Sequence, residues 1–212
     1  MKIKYAMYAA FPPDYYARQM GSKSLRQRWF SKRQHLTAAL VKKYHSGGRL
    51  LDIGCGNCLW NSGDVSTIGI DICEPMLRHN CRSNASFIPL VADISQNLPL
   101  KNESIETVVI TEVLEHLPSY ASHIEEIWRV LKKGGVVIAS VPYAKFPGLW
   151  GVIFPLWCKF KGLKEKDEYY LRNCGHVVNF NMKMLQEAFS KFSLLEKIRL
   201  DLMTIVFVGK KD

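Results

Sequence analysis

The stretch Leu50-Leu51-Asp52-Ile53-Gly54-Cys55-Gly56-Asn57 decides the fold of this 212-residue chain. Its apolar run ends in Asp-x-Gly-x-Gly, which predicts a buried parallel strand that stops in a glycine turn. Glycine lets the backbone adopt a positive φ there and lets a ligand lie directly against the main chain. A second apolar run, residues 67–70, ends at Asp71.

The glycine turn and Asp71 together predict a nucleoside site. An acid at the tip of the second strand of a βαβ unit can accept hydrogen bonds from both hydroxyls of a ribose. Two nucleotide motifs are absent. The dinucleotide fingerprint needs a third glycine where this chain has Leu59, and no Gly-Lys-Ser/Thr follows to bind phosphate.

These residues resemble class I S-adenosylmethionine-dependent methyltransferases, in particular the small-molecule type with a D-x-G-C-G loop. Further segments are similar to the family in the same order along the chain. They are Asp71-Ile72-Cys73-Glu74-Pro75-Met76-Leu77, Ala92-Asp93, Leu98-Pro99-Leu100, Glu112-Val113-Leu114-Glu115-His116-Leu117, Arg129-Val130-Leu131-Lys132-Lys133-Gly134-Gly135, and Gly175-His176-Val177 with Phe180.

The resemblance implies S-adenosyl-L-methionine as the cofactor. Asp71 would hold the ribose hydroxyls, Asp93 would accept from the adenine amino group, and the backbone at Gly54 and Gly56 would face the methionine part. A solvated turn residue is the alternative for each acid. The whole implied cofactor-binding set is Asp52, Gly54, Cys55, Gly56, Asp71, Ile72, Met76, Asp93, Ile94 and Thr111.

The chain departs from the family pattern in two places. Cys58 stands where the family often has a third glycine. The stretch before Asp71 is also short, so that residues 57–63 have room for only one or two helical turns. We therefore expect a more open cofactor rim than is usual in the family.

The order of predicted elements is that of a doubly wound α/β fold with a mostly parallel, seven-stranded, Rossmann-like sheet. The last two strands are joined too tightly for a crossover helix, so they should form an antiparallel hairpin at one sheet edge. Strands are predicted at 49–53, 67–70, 87–91, 105–111, 136–141, 192–200 and 203–209, and helices at 24–45, 75–83, 120–131 and 182–190.

Residues 1–48 are predicted to be a basic N-terminal helical extension, and residues 49–212 the methyltransferase domain. The first 51 residues carry the entire net charge of +10. Such an asymmetry predicts an anionic partner, namely a membrane surface, an acidic substrate or nucleic acid. A well-solvated helix is the alternative.

Residues 143–173 are predicted to be an apolar insertion. Its segment 146–158 is rich in Trp and Phe, is interrupted by two prolines, and is flanked by lysines. The segment is too short to span a bilayer, but Trp and Lys bordering an apolar run suit a membrane interface. It could also form a lid over an apolar substrate, or a lid that simply packs on its own domain.

Glu112, His116 and His176 are the candidate catalytic residues. A hydroxyl acceptor with a high pKa needs a general base or a metal ion. Glu112, Glu115 and His116 have the spacing of one helical face, which could bind a divalent cation. Capping and packing of the cofactor wall is the favoured role of this trio, so no metal is predicted. The other role left open for the trio is that His116 acts as the base. His176 is a second candidate base, with a structural histidine as the alternative there.

The sequence thus predicts a methyltransferase for the oxygen of a small or lipid-like acceptor, with nitrogen or carbon as other acceptor atoms. The alternatives are RNA or protein methylation and a non-catalytic domain with the same fold. Nucleic acid ranks below an anionic membrane surface as a partner. Six scattered cysteines without a signal peptide predict free thiols and a cytoplasmic location, with possible membrane association.

Overall fold

The fold is taken from a computed structural model that describes residues 6–21, 23–95, 97–166 and 168–212. Its centre is one sheet of seven strands. The strands are β1 (Leu50–Ile53), β2 (Thr67–Asp71), β3 (Phe87–Val91), β4 (Ile105–Thr111), β5 (Leu131–Pro142), β6 (Ser193–Leu200) and β7 (Thr204–Lys210).

The sheet has the order β3-β2-β1-β4-β5-β7-β6. β1 to β5 are parallel, whereas β7 pairs antiparallel with both β5 and β6. The predicted doubly wound α/β fold with an antiparallel edge hairpin is therefore confirmed. The strand order reverses between β1 and β4, which is where such folds bind ligands.

Helices cover both faces of the sheet and extend from its carboxyl edge. They are α1 (Ala6–Ala9), α2 (Leu25–Tyr44), α3 (Glu74–Ser83), α4 (Tyr120–Val130), α5 (Trp150–Glu165), α6 (Glu168–Leu171) and α7 (Met182–Ala188). Among the described residues, no helix combines the length and the apolar composition needed to cross a membrane.

The predicted helix at 24–45 is confirmed as α2, and it packs onto the sheet. Ser24 starts it with a reciprocal capping box to Gln27, which satisfies two backbone N–H groups. Leu40 and Val41 are buried in a core cluster with residues of β4, β5 and β7. The division at residue 48 into an extension and a domain remains a prediction.

The insertion folds as α5 and α6. The sequence predicts that two prolines interrupt this segment, but neither proline breaks the helix. Pro147 lies before α5 begins, and Pro155 lies inside α5. Proline removes one N–H donor, but the apolar inner face of α5 keeps the helix in place: Cys158 and Gly162 are buried.

Candidate active site

A cleft of about 150 Å³ lies at the carboxyl ends of β1, β2 and β4. All ten residues of the implied cofactor set line it, and so do Glu112 and His116. His176 does not line the cleft but packs against His116, with 4.7 Å between the ring centroids. The fold thus brings nearly all the predicted site residues to one place, while their individual roles remain predictions.

The glycine turn and the acid at the tip of β2 are joined by hydrogen bonds. Gly54 and Gly56 have positive φ angles of 65° and 50°. Asp71 accepts from the backbone N–H of Gly56 through Oδ2 and from that of Cys73 through Oδ1, both at 2.8 Å. Burial raises the pKa of Asp71, and these backbone bonds oppose the rise. Each carboxylate oxygen keeps a second lone pair, so the group can still accept from a ligand hydroxyl.

Asp52 is the other buried acid of the glycine turn, and it is only 2% exposed. Its Oδ2 accepts a 2.8 Å hydrogen bond from the indole N–H of Trp60. Trp60 belongs to the turn segment that replaces a first helix between β1 and β2, as the short spacing predicted. Burial raises the pKa of Asp52 from 3.8 to about 7, and the Trp60 bond only partly opposes this rise.

Replacing Asp52 with Asn is expected to stabilise the ligand-free chain increasingly as the pH rises. The folded state retains the Asp52 proton up to about pH 7, whereas the unfolded state releases it near pH 3.8. Wild-type stability therefore falls with rising pH between these two values, while Asn does not titrate. The stability gain of Asp52→Asn should grow by about 2–3 kcal/mol from about pH 5 to about pH 8, measured by denaturant unfolding.

The matched control is Asp64→Asn, which changes an exposed acid in the loop between β1 and β2. It should show the same difference from wild type at both pH values. If the stability gain of Asp52→Asn did not grow with pH, the conclusion that burial raises the pKa of Asp52 would be wrong.

Residues 8–17, which we call the N-terminal segment, close the rim of the cleft. The prediction of an open rim is therefore wrong. The side-chain oxygen of Asn57 accepts from the backbone N–H of Tyr16 and Ala17 at 3.0 and 3.3 Å, and its amide donates to Pro13 O at 2.6 Å. Tyr16 covers the glycine turn so closely that a Cβ on Gly56 would lie 2.8 Å from its ring. Tyr8 and Phe11 also line the cleft.

The residues that line the cleft suit S-adenosylmethionine in their chemistry, but the cleft itself is small for a molecule of that size. A glycine turn, a strand-tip acid and the apolar side chains of Ile72, Met76 and Ile94 surround one space. Its 150 Å³ is about half the lower limit of roughly 300 Å³ for small-molecule sites. Because Tyr16 lies over Gly56, we expect the N-terminal segment to shift when a whole cofactor binds.

Asp93 lies at the rim of the cleft, where its side chain is exposed. Its Oδ1 accepts from the backbone N–H of Ser95 at 2.9 Å, which fixes the turn after β3. The carboxylate retains acceptor capacity for an amino group. Its assignment to the adenine therefore stays a prediction.

Glu112 forms an ion pair with α2, and it does not share a helical face with Glu115 and His116. Its φ of 57° turns the chain directly after β4, so the expected helical turn begins only at Leu114. Glu112 accepts from Arg33 Nη1 at 3.0 Å and from the Ser140 hydroxyl at 3.0 Å. This buried ion pair fastens α2 to the end of β4.

His116 and His176 are held as neutral imidazoles. Burial lowers the pKa of His116 to about 4 and that of His176 to about 3. Tyr8 joins the site to the N-terminal segment, since its hydroxyl lies 3.0 Å from His116 Nδ1 and donates to Cys174 O at 2.7 Å. His176 stacks on Phe154 of α5 at 4.8 Å. A base with so low a pKa is poorly matched to a hydroxyl acceptor.

The sheet order and the position of the cleft define a Rossmann-like methyltransferase fold. The same fold occurs in magnesium protoporphyrin IX methyltransferase from Synechocystis PCC 6803, whose structure contains bound SAH. The TM-score is 0.69 and the identity 15%, and the match covers 98% of this chain and 98% of that one.

Residues 51–139 match the family described as "Methyltransferase domain", which supports the resemblance to the class I S-adenosylmethionine-dependent methyltransferases. Demethylmenaquinone methyltransferase from Staphylococcus epidermidis is 30% identical over 155 residues, which are 65% of this chain. This chain spans 63% of that relative's length. A tRNA (carboxymethyluridine(34)-5-O)-methyltransferase from Arabidopsis thaliana is 36% identical over 109 residues, 49% of this chain and 26% of that protein.

Proposed function

We propose that the chain transfers the methyl group of S-adenosylmethionine to an oxygen atom of a small, lipid-like acceptor. The observation that carries this proposal is the convergence of the glycine turn, Asp71 and His116 on one cleft. The similarity to demethylmenaquinone methyltransferase supports a lipid-like acceptor of the quinone type.

The roles of the side chains follow from their places in the cleft. Asp71 would bind the ribose hydroxyls, and the main chain at Gly54 and Gly56 would lie against the methionine part. S-adenosylmethionine supplies a methyl group already activated by its sulfonium. The acceptor oxygen forms a bond to the methyl carbon while the sulfur–methyl bond breaks, sulfur keeps the electron pair, and the acceptor proton passes to water. His116 and Glu112 would border the acceptor.

Excluding water and aligning the acceptor are the main tasks of the protein in such a displacement. The Tyr8–His116 contact ties the N-terminal segment to the cleft wall, and the Arg33–Glu112 ion pair ties α2 to the same wall. We infer that this segment reseals the cleft after the cofactor has entered. It would then contribute to catalysis by shielding the reacting atoms.

The outer face of α5 supports a membrane-borne acceptor, and we propose that it lies on an anionic bilayer. We define the α5 stripe as Leu149, Val152, Ile153, Leu156, Phe160 and Leu163. Their spacing places them on one helical face, and Leu156 and Phe160 are 66% and 69% exposed. Protein surfaces rarely leave such a contiguous apolar face uncovered.

Basic residues surround the α5 stripe, which favours an anionic lipid surface over other apolar partners. Lys159, Lys164 and Lys166 are exposed on α5 and at its end. Arg26 of α2 lies over the ring of Trp157 at 4.8 Å and is itself exposed, so α2 places its basic N-terminal turn beside α5. An apolar face bordered by cations is typical of helices that lie in the membrane interface.

The inner face of α5 reaches the candidate active site. Phe154 stacks on His176, and Trp150 stacks on Phe154 with 4.4 Å between the ring centroids. One helix thus connects the proposed lipid contact to the acceptor side of the cleft. An acceptor leaving the bilayer along α5 would arrive next to His116 and His176.

Methylation of RNA is a second candidate, supported by the similarity to the tRNA methyltransferase and by the basic first 51 residues. In that case α2 would bind phosphates instead of lipid headgroups. The affinity for RNA should then fall steeply with rising salt, because phosphate contacts release counterions.

A methyl-transfer assay distinguishes the two functions. Labelled S-adenosylmethionine is incubated with the chain and either anionic vesicles containing a hydroxylated quinol lipid or a short RNA. We expect label in the lipid fraction and, after hydrolysis of the product, on oxygen. Label in the RNA alone would overturn the lipid proposal. Failure of S-adenosylhomocysteine to bind at all would overturn methyl transfer as well.

A further inference from the structure

A buried carboxylate next to the cleft has no partner that accounts for its position. Glu115 is 1% exposed, and neither of its carboxylate oxygens has a hydrogen-bond partner among the described residues. The nearby Arg33 is engaged by Glu112 instead. Burying an uncompensated carboxylate costs several kcal/mol. A positively charged group at this point would remove that cost.

Two imidazoles face the same carboxylate. Glu115 Oε1 lies 3.7 Å from His116 Nε2 and 4.0 Å from His176 Nε2. These separations are too long for hydrogen bonds. The three ligand atoms all lie within 4.8 Å of one another. Ligands of one tetrahedral zinc ion lie about 3.4 Å apart, so small side-chain rotations bring the three to a shared ion.

Tyr8 sets the tautomer of His116 that a metal ion requires. The Tyr8 hydroxyl gives its proton to Cys174 O, so its oxygen accepts from His116 Nδ1–H. The proton on Nδ1 leaves a lone pair on Nε2, the atom that faces Glu115. Metal-bound histidines commonly hold their second nitrogen in such a hydrogen bond.

We propose that Glu115, His116 and His176 bind a divalent metal ion. Two imidazoles and one carboxylate suit zinc, manganese or ferrous iron and leave coordination positions for water or substrate. This inference goes against the expectation from sequence that no metal is bound. In the metal alternative that the sequence left open, the third ligand was Glu112; here it is His176, because Glu112 is bound by Arg33.

The ion would also solve the problem of acceptor activation, a step that rests on the proposed function. His116 borders the cleft, so an ion bound to its Nε2 lies beside the acceptor space. A bound cation lowers the pKa of a coordinated hydroxyl, and the released proton passes to water. Neither histidine then has to act as a general base.

Calorimetric titration of Mn²⁺ into the chelator-treated chain tests the site. Mn²⁺ disfavours thiolates, so the six cysteines should contribute little. We expect one ion per chain for wild type, and binding at least about tenfold weaker for Glu115→Gln and for His176→Gln. His35→Gln removes an exposed imidazole from α2 and should bind like wild type. Equal affinity of wild type and both ligand variants would overturn the proposal, as would no binding by wild type.

The same protein samples are titrated with S-adenosylhomocysteine. Retained binding by Glu115→Gln and His176→Gln shows that the variants are folded and that a lost ion reflects a lost ligand. S-adenosylhomocysteine binding without Mn²⁺ binding would remove the metal site and leave the proposed function. Mn²⁺ binding without S-adenosylhomocysteine binding would remove the proposed function and leave the metal site.

Discussion

Asp71→Ala should weaken the binding of S-adenosylhomocysteine by at least about 100-fold. In the proposed complex its carboxylate accepts from both ribose hydroxyls, and each charge-assisted bond contributes about 1.5–3 kcal/mol. Losing two such bonds removes about 3 kcal/mol or more, which corresponds to a factor of roughly 150 in the dissociation constant. Isothermal titration of S-adenosylhomocysteine into the two proteins measures the difference.

The variant also loses two hydrogen bonds that support the glycine turn. Asp71 accepts from the backbone N–H groups of Gly56 and Cys73. Alanine leaves both groups without this partner, so the turn is expected to loosen and the chain to lose about 1–3 kcal/mol of stability. Asp71→Asn separates the two effects, because its amide oxygen can still accept from one N–H while the charge is gone. We expect its stability loss to be the smaller and its affinity loss to remain large.

Asp64→Ala is the matched control for the affinity measurement, because it removes an exposed carboxylate from the loop before β2. Its affinity for S-adenosylhomocysteine should equal that of wild type. If Asp71→Ala bound the ligand as tightly as Asp64→Ala, the strand-tip acid would have no part in cofactor binding. The identification of the cleft as a cofactor site would then fail.

Most of the sheet could be predicted because its signals are local. Apolar runs that lead into a glycine or an acid mark β1 to β4, and the short link between β6 and β7 permits only a hairpin. The fold then places the carboxyl ends of the parallel strands at one edge, so the position of the cleft follows from strand order. The ten residues that line it as the implied cofactor set came from the family resemblance. Packing did not have to be known for this step.

The contacts that close the cleft could not be predicted, because they join distant residues without a periodic pattern. Tyr8 and His116 are 108 positions apart, and Tyr16 and Asn57 are 41 apart. The only signal in the sequence was the group of four aromatic residues at 8, 11, 15 and 16, because so many rings close together indicate burial. The surface on which these rings pack forms only when the chain folds.

Glu112 shows why the predicted shared helical face of Glu112, Glu115 and His116 is wrong. Spacing alone suggests a helical face for Glu112, Glu115 and His116, but a positive φ at Glu112 breaks the turn. Glutamate seldom adopts this conformation, so nothing in the local sequence announces it. The ion pair with Arg33 and the bond to Ser140 are the tertiary contacts that hold it there. His176 takes its place beside Glu115.

The double substitution Leu156→Asp with Phe160→Asp should reduce binding to anionic vesicles by at least about a thousandfold. Full burial of a Leu or Phe side chain contributes about 1.5–3 kcal/mol, and both are mostly exposed on the α5 stripe. Each introduced carboxylate is in addition repelled by the headgroups, by about 1 kcal/mol. The sum exceeds the 4 kcal/mol of a thousandfold change. Vesicle sedimentation with anionic and neutral lipids measures the binding.

The control is Ile88→Asp with Val91→Asp, on the edge strand β3, where the two side chains are 54% and 53% exposed. It introduces the same charges into a surface outside the α5 stripe and should bind anionic vesicles like wild type. Wild type should prefer anionic to neutral vesicles and release them in high salt, because the basic residues next to α5 contribute to binding. If wild type instead formed a dimer that the α5 variant dissolved, with vesicle binding absent in both, the stripe would be a contact between two copies of the chain. The acceptor would then have to reach His116 from solution.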